Sequence, residues 1–377
     1  MQYTEYELGE LLPFEQPTAY IVKSIDYSDA YATPVLTAGK SFILGKTNET
    51  DGIFDQLPVI IFDDFTTATQ FVNFRFKVKS SAMKILHINT DLVIPKYIFY
   101  RLQIIQFDHS THKRYWIQSY SKIKVLIPPL DEQFRIVAHI EELFSELDKA
   151  VDTLKTTKEQ LEVYRQAVLV DIFSQEYPLR QLKEISVALS GFAFKSKNYT
   201  PDGKYTVIKI GNVKDGYLDF SRDKTRTNEV TDKILQKYLL KQGDCLITLT
   251  GTRGKRDYGF VSMIERQTDY LLNQRVAALR FDTMIALPEF FRYYLSSLNY
   301  RNQFFKYETG NVGQGNVGIK ALCEPAVPCP PLDTQKNIVD QISDRLSVCD
   351  SIEKTVDTAL AQADAMRQSI LKQAFEG

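Results

Sequence analysis

One stretch occurs twice in this chain, and it leaves little freedom to the rest. Pro128-Pro129-Leu130-Asp131-Glu132-Gln133 returns as Pro330-Pro331-Leu332-Asp333-Thr334-Gln335. Each copy is followed by more than forty residues without proline or an interior glycine. At a constant offset of 202 residues, Ile136, Val137, Ile140, Arg165, Gln166, Leu169 and Phe173 fall on Ile338, Val339, Ile342, Arg367, Gln368, Leu371 and Phe375. Register held that far is the behaviour of a continuous helix, because one inserted residue would rotate everything beyond it by about 100°.

The apolar pattern supports the helix directly. In the first copy Ile140, Leu147, Leu154, Leu161 and Val168 recur every seven residues, the seam pattern of a coiled coil. The second copy places smaller residues on the matching seam: Ile342, Cys349, Val356, Ala363 and Ile370. Large residues facing small ones predict two long helices packed on each other, antiparallel. The diproline marks each helix start, since proline is tolerated in a first turn and disfavours helix before it. Some 45 residues at about 1.5 Å each give a rod on the order of 65 Å.

The 377 residues are enough for two cores, and no apolar run approaches the ~20 residues of a membrane span. Nothing at the N-terminus resembles a signal peptide, and four thiols without a disulfide pattern fit a reducing cytoplasm, the expected location. The cysteines (Cys245, Cys323, Cys329, Cys349) and the histidines (His87, His109, His112, His139) lie in opposite halves, so no local zinc-ligand spacing exists. His109 and His112 could hold a metal only with distant help, and they read far more readily as surface or groove-lining residues.

Charge is divided unevenly. Residues 130–177 hold 11 acidic and 5 basic side chains, and residues 330–377 hold 8 and 5. With a net charge of −1 for the whole chain, the remaining residues carry +8. Acidic rods and basic globular segments are the asymmetry expected where those segments meet phosphate. Long exposed helices are also often acidic without any such role.

In chain order, residues 1–127 form a first globular segment, with strands expected at Leu57 to Asp64 and Phe71 to Val78 and a helix from Lys96 to Gln106. Polar loops are expected at Thr37–Ser41, Lys46–Gly52, Thr66–Gln70 and Asp108–Arg114. Residues 128–177 form the first rod, 178–329 the second globule and 330–377 the second rod. The second globule opens Leu182-Lys183-Glu184-Ile185, echoing Leu8-Gly9-Glu10-Leu11. Its strands are expected at Thr206–Ile210, Asp244–Leu249, Gly259–Ile264 and Arg275–Phe281. Pro288 opens a helix matching the one after Pro95, now at an offset of 193. The missing nine residues are the glycine- and asparagine-rich loop Gly310 to Gly318. The chain is therefore a duplication, with register held in the rods and sequence free to diverge in the globules.

Catalytic signatures are absent. Gly39-Lys40-Ser41 lacks the upstream glycine of a phosphate-binding loop, where Pro34 stands instead. No G-x-S-x-G elbow, H-E-x-x-H or paired-carboxylate cluster occurs. Pro201-Asp202 with Lys209 lacks the second acidic residue of a nuclease core, since Val207 occupies its place. Neither a glycine-rich turn for S-adenosylmethionine nor an Asn-Pro-Pro-aromatic tetrapeptide is present. By contrast, Gly251-Thr252-Arg253-Gly254-Lys255-Arg256 brings three cations to a loop able to approach backbone phosphates or a guanine edge. It reads equally as a solvated hairpin tip.

These residues resemble the specificity subunit of type I restriction–modification enzymes over the full chain. The resemblance rests on the two Pro-Pro-Leu-Asp-x-Gln motifs, on Leu182 to Tyr199, on Leu240 to Ile247 and on Met366 to Gly377. Thr33 to Gly45 and Phe76 to Leu86 add a likeness to a recurring first recognition domain. Thr334 departs from the glutamate usual at that place. The resemblance implies an α+β fold, two α/β target-recognition domains separated by two antiparallel helices, with no catalytic activity of its own. Each domain would read one half of a bipartite site in double-stranded DNA. Two modification subunits, carrying S-adenosylmethionine, would dock on the helices, and restriction subunits with translocase and nuclease activity would join them. No cofactor is expected on this chain.

The DNA-binding residues expected in the first domain are Lys40, Thr66, Thr67, Lys77, Lys79, Lys113 and Arg114. In the second they are Lys195, Lys209, Arg253, Lys255, Arg256, Asn311 and Gln314. Helix packing is assigned to the seam residues above. Other roles remain open at this stage: an interaction scaffold without DNA, an enzyme in its own right, or service to a fused restriction–methylation enzyme.

Overall fold

The computed structural model describes residues 3–38, 41–108, 114–311 and 313–376. It consists of two compact units, Met1–Lys155 with Asp357–Gly377, and Thr156–Val356. The expected fold class is observed, with two α/β domains and two long helices, Leu130–Phe173 and Leu332–Glu376.

In the first unit a four-stranded antiparallel sheet has the order Phe14–Glu15, Met83–Leu86, Val59–Asp63, Thr69–Val72. A second sheet runs Ile43–Thr47, Thr33–Leu36, Lys77–Val78, its last pair parallel. Val59–Asp63 is buried throughout, as its unbroken apolar run requires. The strand expected over Phe71 to Val78 is instead two strands in different sheets, so its alternation does not continue. The loop expected at Lys46–Gly52 begins inside the strand Ile43–Thr47.

The second unit repeats this topology. Its four-stranded sheet is Ser186–Ser190, Val276–Phe281, Cys245–Thr248, Val261–Met263, and its three-stranded sheet is Arg226–Thr227, Tyr205–Ile208, Tyr270–Leu272. The parallel pair falls at the corresponding place, Tyr205–Ile208 with Tyr270–Leu272. Each domain opens on a strand paired antiparallel with the strand before its long helix: Thr4–Glu7 with Lys124–Ile127, and Leu179–Gln181 with Ala326–Pro328. The two short segments that echo each other in sequence are both single helical turns, with Leu8 and Leu11, and Leu182 and Ile185, fully buried.

The motif glutamines explain how each domain grips its helix. Gln133 Oε1 accepts the Ile94 N–H at 2.8 Å, while Nε2 donates to the carbonyls of Leu92 at 3.0 Å and Pro128 at 2.9 Å. Gln335 Oε1 accepts the Leu287 N–H at 2.7 Å, and Nε2 donates to Ile285 at 2.9 Å and Pro330 at 2.7 Å. Both side chains are fully buried and fully bonded. Each receives the residue just before the proline that opens the domain helix, Pro95–Leu102 or Pro288–Ser296.

The two long helices pack antiparallel. In the first unit, Ile140 and Phe144 near the start of one meet Leu371 near the end of the other, with Ile370 partly buried beside them. Arg367 lies 4.2 Å over the Phe144 ring and bonds Asp148. In the second unit, Val168 and Leu169 share a core with Ile342, and Arg165 bonds Asp350 at 2.6 Å and Glu353 at 2.9 Å. The same arginine–aspartate pair thus occurs once in each unit with the helices exchanged. Leu161, Cys349, Val356 and Ala363 are buried, whereas Leu147 and Leu154 are half-buried.

Candidate nucleic-acid interface

In the second domain the turn joining Cys245–Thr248 to Val261–Met263 carries the three cations. Its near side pairs with the glycine/asparagine loop, Thr250 opposite Asn316 and Gly251 opposite Gly315. Arg253 Nη1 donates to the Gly310 carbonyl at 2.7 Å. Arg253, Lys255, Arg256, Asn311 and Gln314, separated by about sixty residues of sequence, therefore come together on one exposed tip. Arg256 adopts a left-handed backbone (φ 53°), a costly conformation for a residue with a side chain. Its Nη1 donates to Asn302 at 3.1 Å, and Arg301 Nη2 donates to its carbonyl at 3.0 Å. Arg301 also donates to the carbonyls of Tyr258 and Gly259, fixing the far end of the turn.

Lys195 and Lys209 are elsewhere. Lys195 is exposed before the turn Ser196–Asn198. Lys209 follows a strand of the three-stranded sheet, pairs with Asp223 at 3.0 Å and sits 5.0 Å over the Tyr199 ring.

The first domain presents a shorter turn at the corresponding place, between Val59–Asp63 and Thr69–Val72. Asp63 shapes it, accepting from Phe65 N–H at 2.9 Å and Thr66 Oγ1 at 2.6 Å. Thr67 is left-handed there (φ 58°), and Thr66 and Phe65 are exposed. Lys79 Nζ lies 3.4 Å from the Tyr27 hydroxyl and over its ring. Arg114 is exposed just before the helix Tyr115–Gln118.

Residues 175–362 match the family model for the type I restriction modification DNA specificity domain. The chain belongs to the type I restriction specificity subunits. It is 45% identical over 174 residues to the EcoR124I/EcoR124II specificity subunit of Escherichia coli, covering 43% of each chain. To the EcoKI specificity subunit of Escherichia coli strain K12 it is 26% identical over 280 residues, 69% of this chain and 58% of that one. The chain thus matches about half the length of these curated relatives. A solved chain from work on complex assembly and conformational transition of the type I R-M system shares the fold. Its TM-score is 0.66 at 17% identity, over 99% of this chain and 97% of that one.

One residue expected to read DNA in this specificity subunit is not exposed. Lys77 is buried, its ammonium 3.1 Å from Glu49 Oε2 and donating to the Asp51 carbonyl at 2.6 Å. One continuous strand over Phe71 to Val78 would put Lys77 on the face opposite Val72 and Val78, but the first strand ends at Val72 and both Lys77 and Val78 are covered. Lys40 and Lys113, with His109 and His112, lie outside the described residues. Among the described residues no cluster of three or more metal-ligating side chains occurs, and the four cysteines are free and buried. No described helix is long and apolar enough to cross a membrane. Sequence reasoning missed Tyr258, Arg301 and Glu308, whose contacts are set by tertiary pairing; the only sequence signal was their closeness to the two loops.

Proposed function

We propose that this chain supplies DNA sequence specificity to a type I restriction–modification complex. Each α/β domain reads one half of a bipartite site, and the helix pair sets the unread spacer and docks two modification subunits. Those subunits hold S-adenosylmethionine and methylate adenine, restriction subunits join them, and the chain itself catalyses nothing. The observation that carries this reading is the repeated topology: the same sheet order in both domains offers different turns at the corresponding place, cationic and glycine-rich in one, short and threonine-bearing in the other. A shared scaffold with unlike tips suits two different base sequences. Half-sites read in successive major grooves would lie roughly one to two turns (~34 Å each) apart.

The test is to express the chain with its modification partners and map methylated adenines. The expected result is one split motif with a fixed gap. Contiguous motifs, or methylation unchanged when the chain is left out, would sink the reading.

A further inference from the structure

The exposed tip of the second domain is braced from below by two residues that flank its cations and amides. Tyr258 is fully buried, yet its hydroxyl donates to Glu308 Oε1 at 2.8 Å. The same oxygen lies 3.5 Å from the Gly254 N–H, inside the cationic turn. Glu308 is also the residue before Thr309, which exchanges two backbone hydrogen bonds with Asn316, both at 2.8 Å. One carboxylate therefore touches the cationic turn and begins the glycine/asparagine loop.

The glycines show how closely the two segments are fitted. A Cβ at Gly315 would lie 2.5 Å from Glu308 Oε1, 3.0 Å from the Tyr258 hydroxyl and 3.2 Å from the Arg253 Cα. A Cβ at Gly251, its partner across the pairing, would lie 2.5 Å from Asp257 Oδ1. Gly310 takes a φ of 126°, and a Cβ there would lie 2.1 Å from the Gln314 carbonyl oxygen. Only glycine fits at Gly310, where the clash is with backbone, and a Cβ at Gly251 or Gly315 would displace the Asp257, Tyr258 or Glu308 side chains that set the pairing. Burial and the Glu308 bond both hold the Tyr258 phenol well above its usual range, so it remains a donor.

We propose that residues 251–256 and the loop after Glu308 are a single reading element, and that Glu308, with Tyr258, positions it and sets sequence preference without touching DNA. Arg253 is then a brace as well, since its guanidinium already holds Gly310. The faces left to meet DNA are Lys255, Asn311 and Gln314. This rests on the DNA-reading role proposed above.

The test uses the full chain carrying Glu308→Gln or Tyr258→Phe, the latter a milder change that removes one hydroxyl. Amide exchange is followed at Thr252 on one side and at Thr309 and Asn316 on the other, with Leu246 and Ala278 in the sheet as folding controls. Exchange is expected to rise on the order of tenfold on both sides together, with the sheet unchanged. A rise on one side only, or on neither, overturns the coupling whatever DNA does. In parallel, duplexes selected by the unaltered chain from a random library are competed against random duplex. The preference should fall on the order of tenfold, the size of one lost base contact, while affinity for random duplex stays within about twofold. An unchanged preference with raised exchange overturns the positioning role. An unaltered chain that selects no sequence fails the DNA-reading role instead, and exchange alone then decides the coupling.

Discussion

Gln335 accepts the N–H of Leu287, 48 positions earlier in the chain, and, with its other two bonds, saturates the backbone where the second long helix begins. Replacing it by leucine keeps the volume but strands one buried N–H and two carbonyls. We expect Gln335→Leu to destabilise the second unit by about 2–4 kcal/mol, read as a lower urea midpoint. Gln133→Leu should act likewise on the first unit. A midpoint within error of the unaltered chain would remove the glutamine from the fold's support.

Arg165 meets two carboxylates, Asp350 and Glu353, and is itself three-quarters covered. Asp350 is largely exposed, so water screens much of that pair. A double-mutant cycle of Arg165→Ala with Asp350→Ala should give a coupling of about 0.5–1 kcal/mol in chemical denaturation. Arg165→Lys should recover little of it, because an ammonium cannot serve two carboxylates as a planar fork does. No coupling would make the pair incidental.

Lys77 and Lys255 should behave oppositely. Lys77→Ala leaves Glu49 without its cation in a covered place, so stability should drop by about 3 kcal/mol with the salt dependence of DNA binding unchanged. Lys255→Ala should leave stability alone and reduce the slope of log affinity against log salt by about 1, as loss of one phosphate contact does. Titrations at several salt concentrations beside thermal melts separate the two. The reverse assignment would restore Lys77 to the interface.

Glu49 gives the first domain a pH dependence. The Ser24 N–H above all, then the Lys77 ammonium, holds its carboxyl below the usual range. A depressed carboxyl contributes stability above its unfolded pKa of about 4.3, and that contribution disappears as pH falls through the lower folded value. Melting temperature of the first domain should therefore decline below about pH 4, and Glu49→Gln should show a shallower decline. Identical profiles would rule the residue out as a source.

The long helices were legible because a fixed offset and a seven-residue seam are local, periodic signals, and both elements begin at the repeated motif. The strands of the second domain were legible as apolar runs, Cys245–Thr248 and Val276–Phe281 among them. Lys77 was misread because alternation assumes one strand in one sheet, whereas Thr69–Val72 and Lys77–Val78 belong to different sheets. The cations of 253–256 were visible as a loop. Their union with Asn311 and Gln314 was not, since it depends on Gly251 meeting Gly315 across the fold. The motif glutamines were in plain sight, but nothing in a sequence says which backbone groups a side chain will satisfy.

In both domains a turn that differs between them hangs from two corresponding neighbouring strands, Val59–Asp63 and Thr69–Val72 in one, Cys245–Thr248 and Val261–Met263 in the other. One spans residues 64–68 and the other residues 249–260. A family built this way can acquire a new vocabulary by editing a fingertip, with the hand that carries it left as it was.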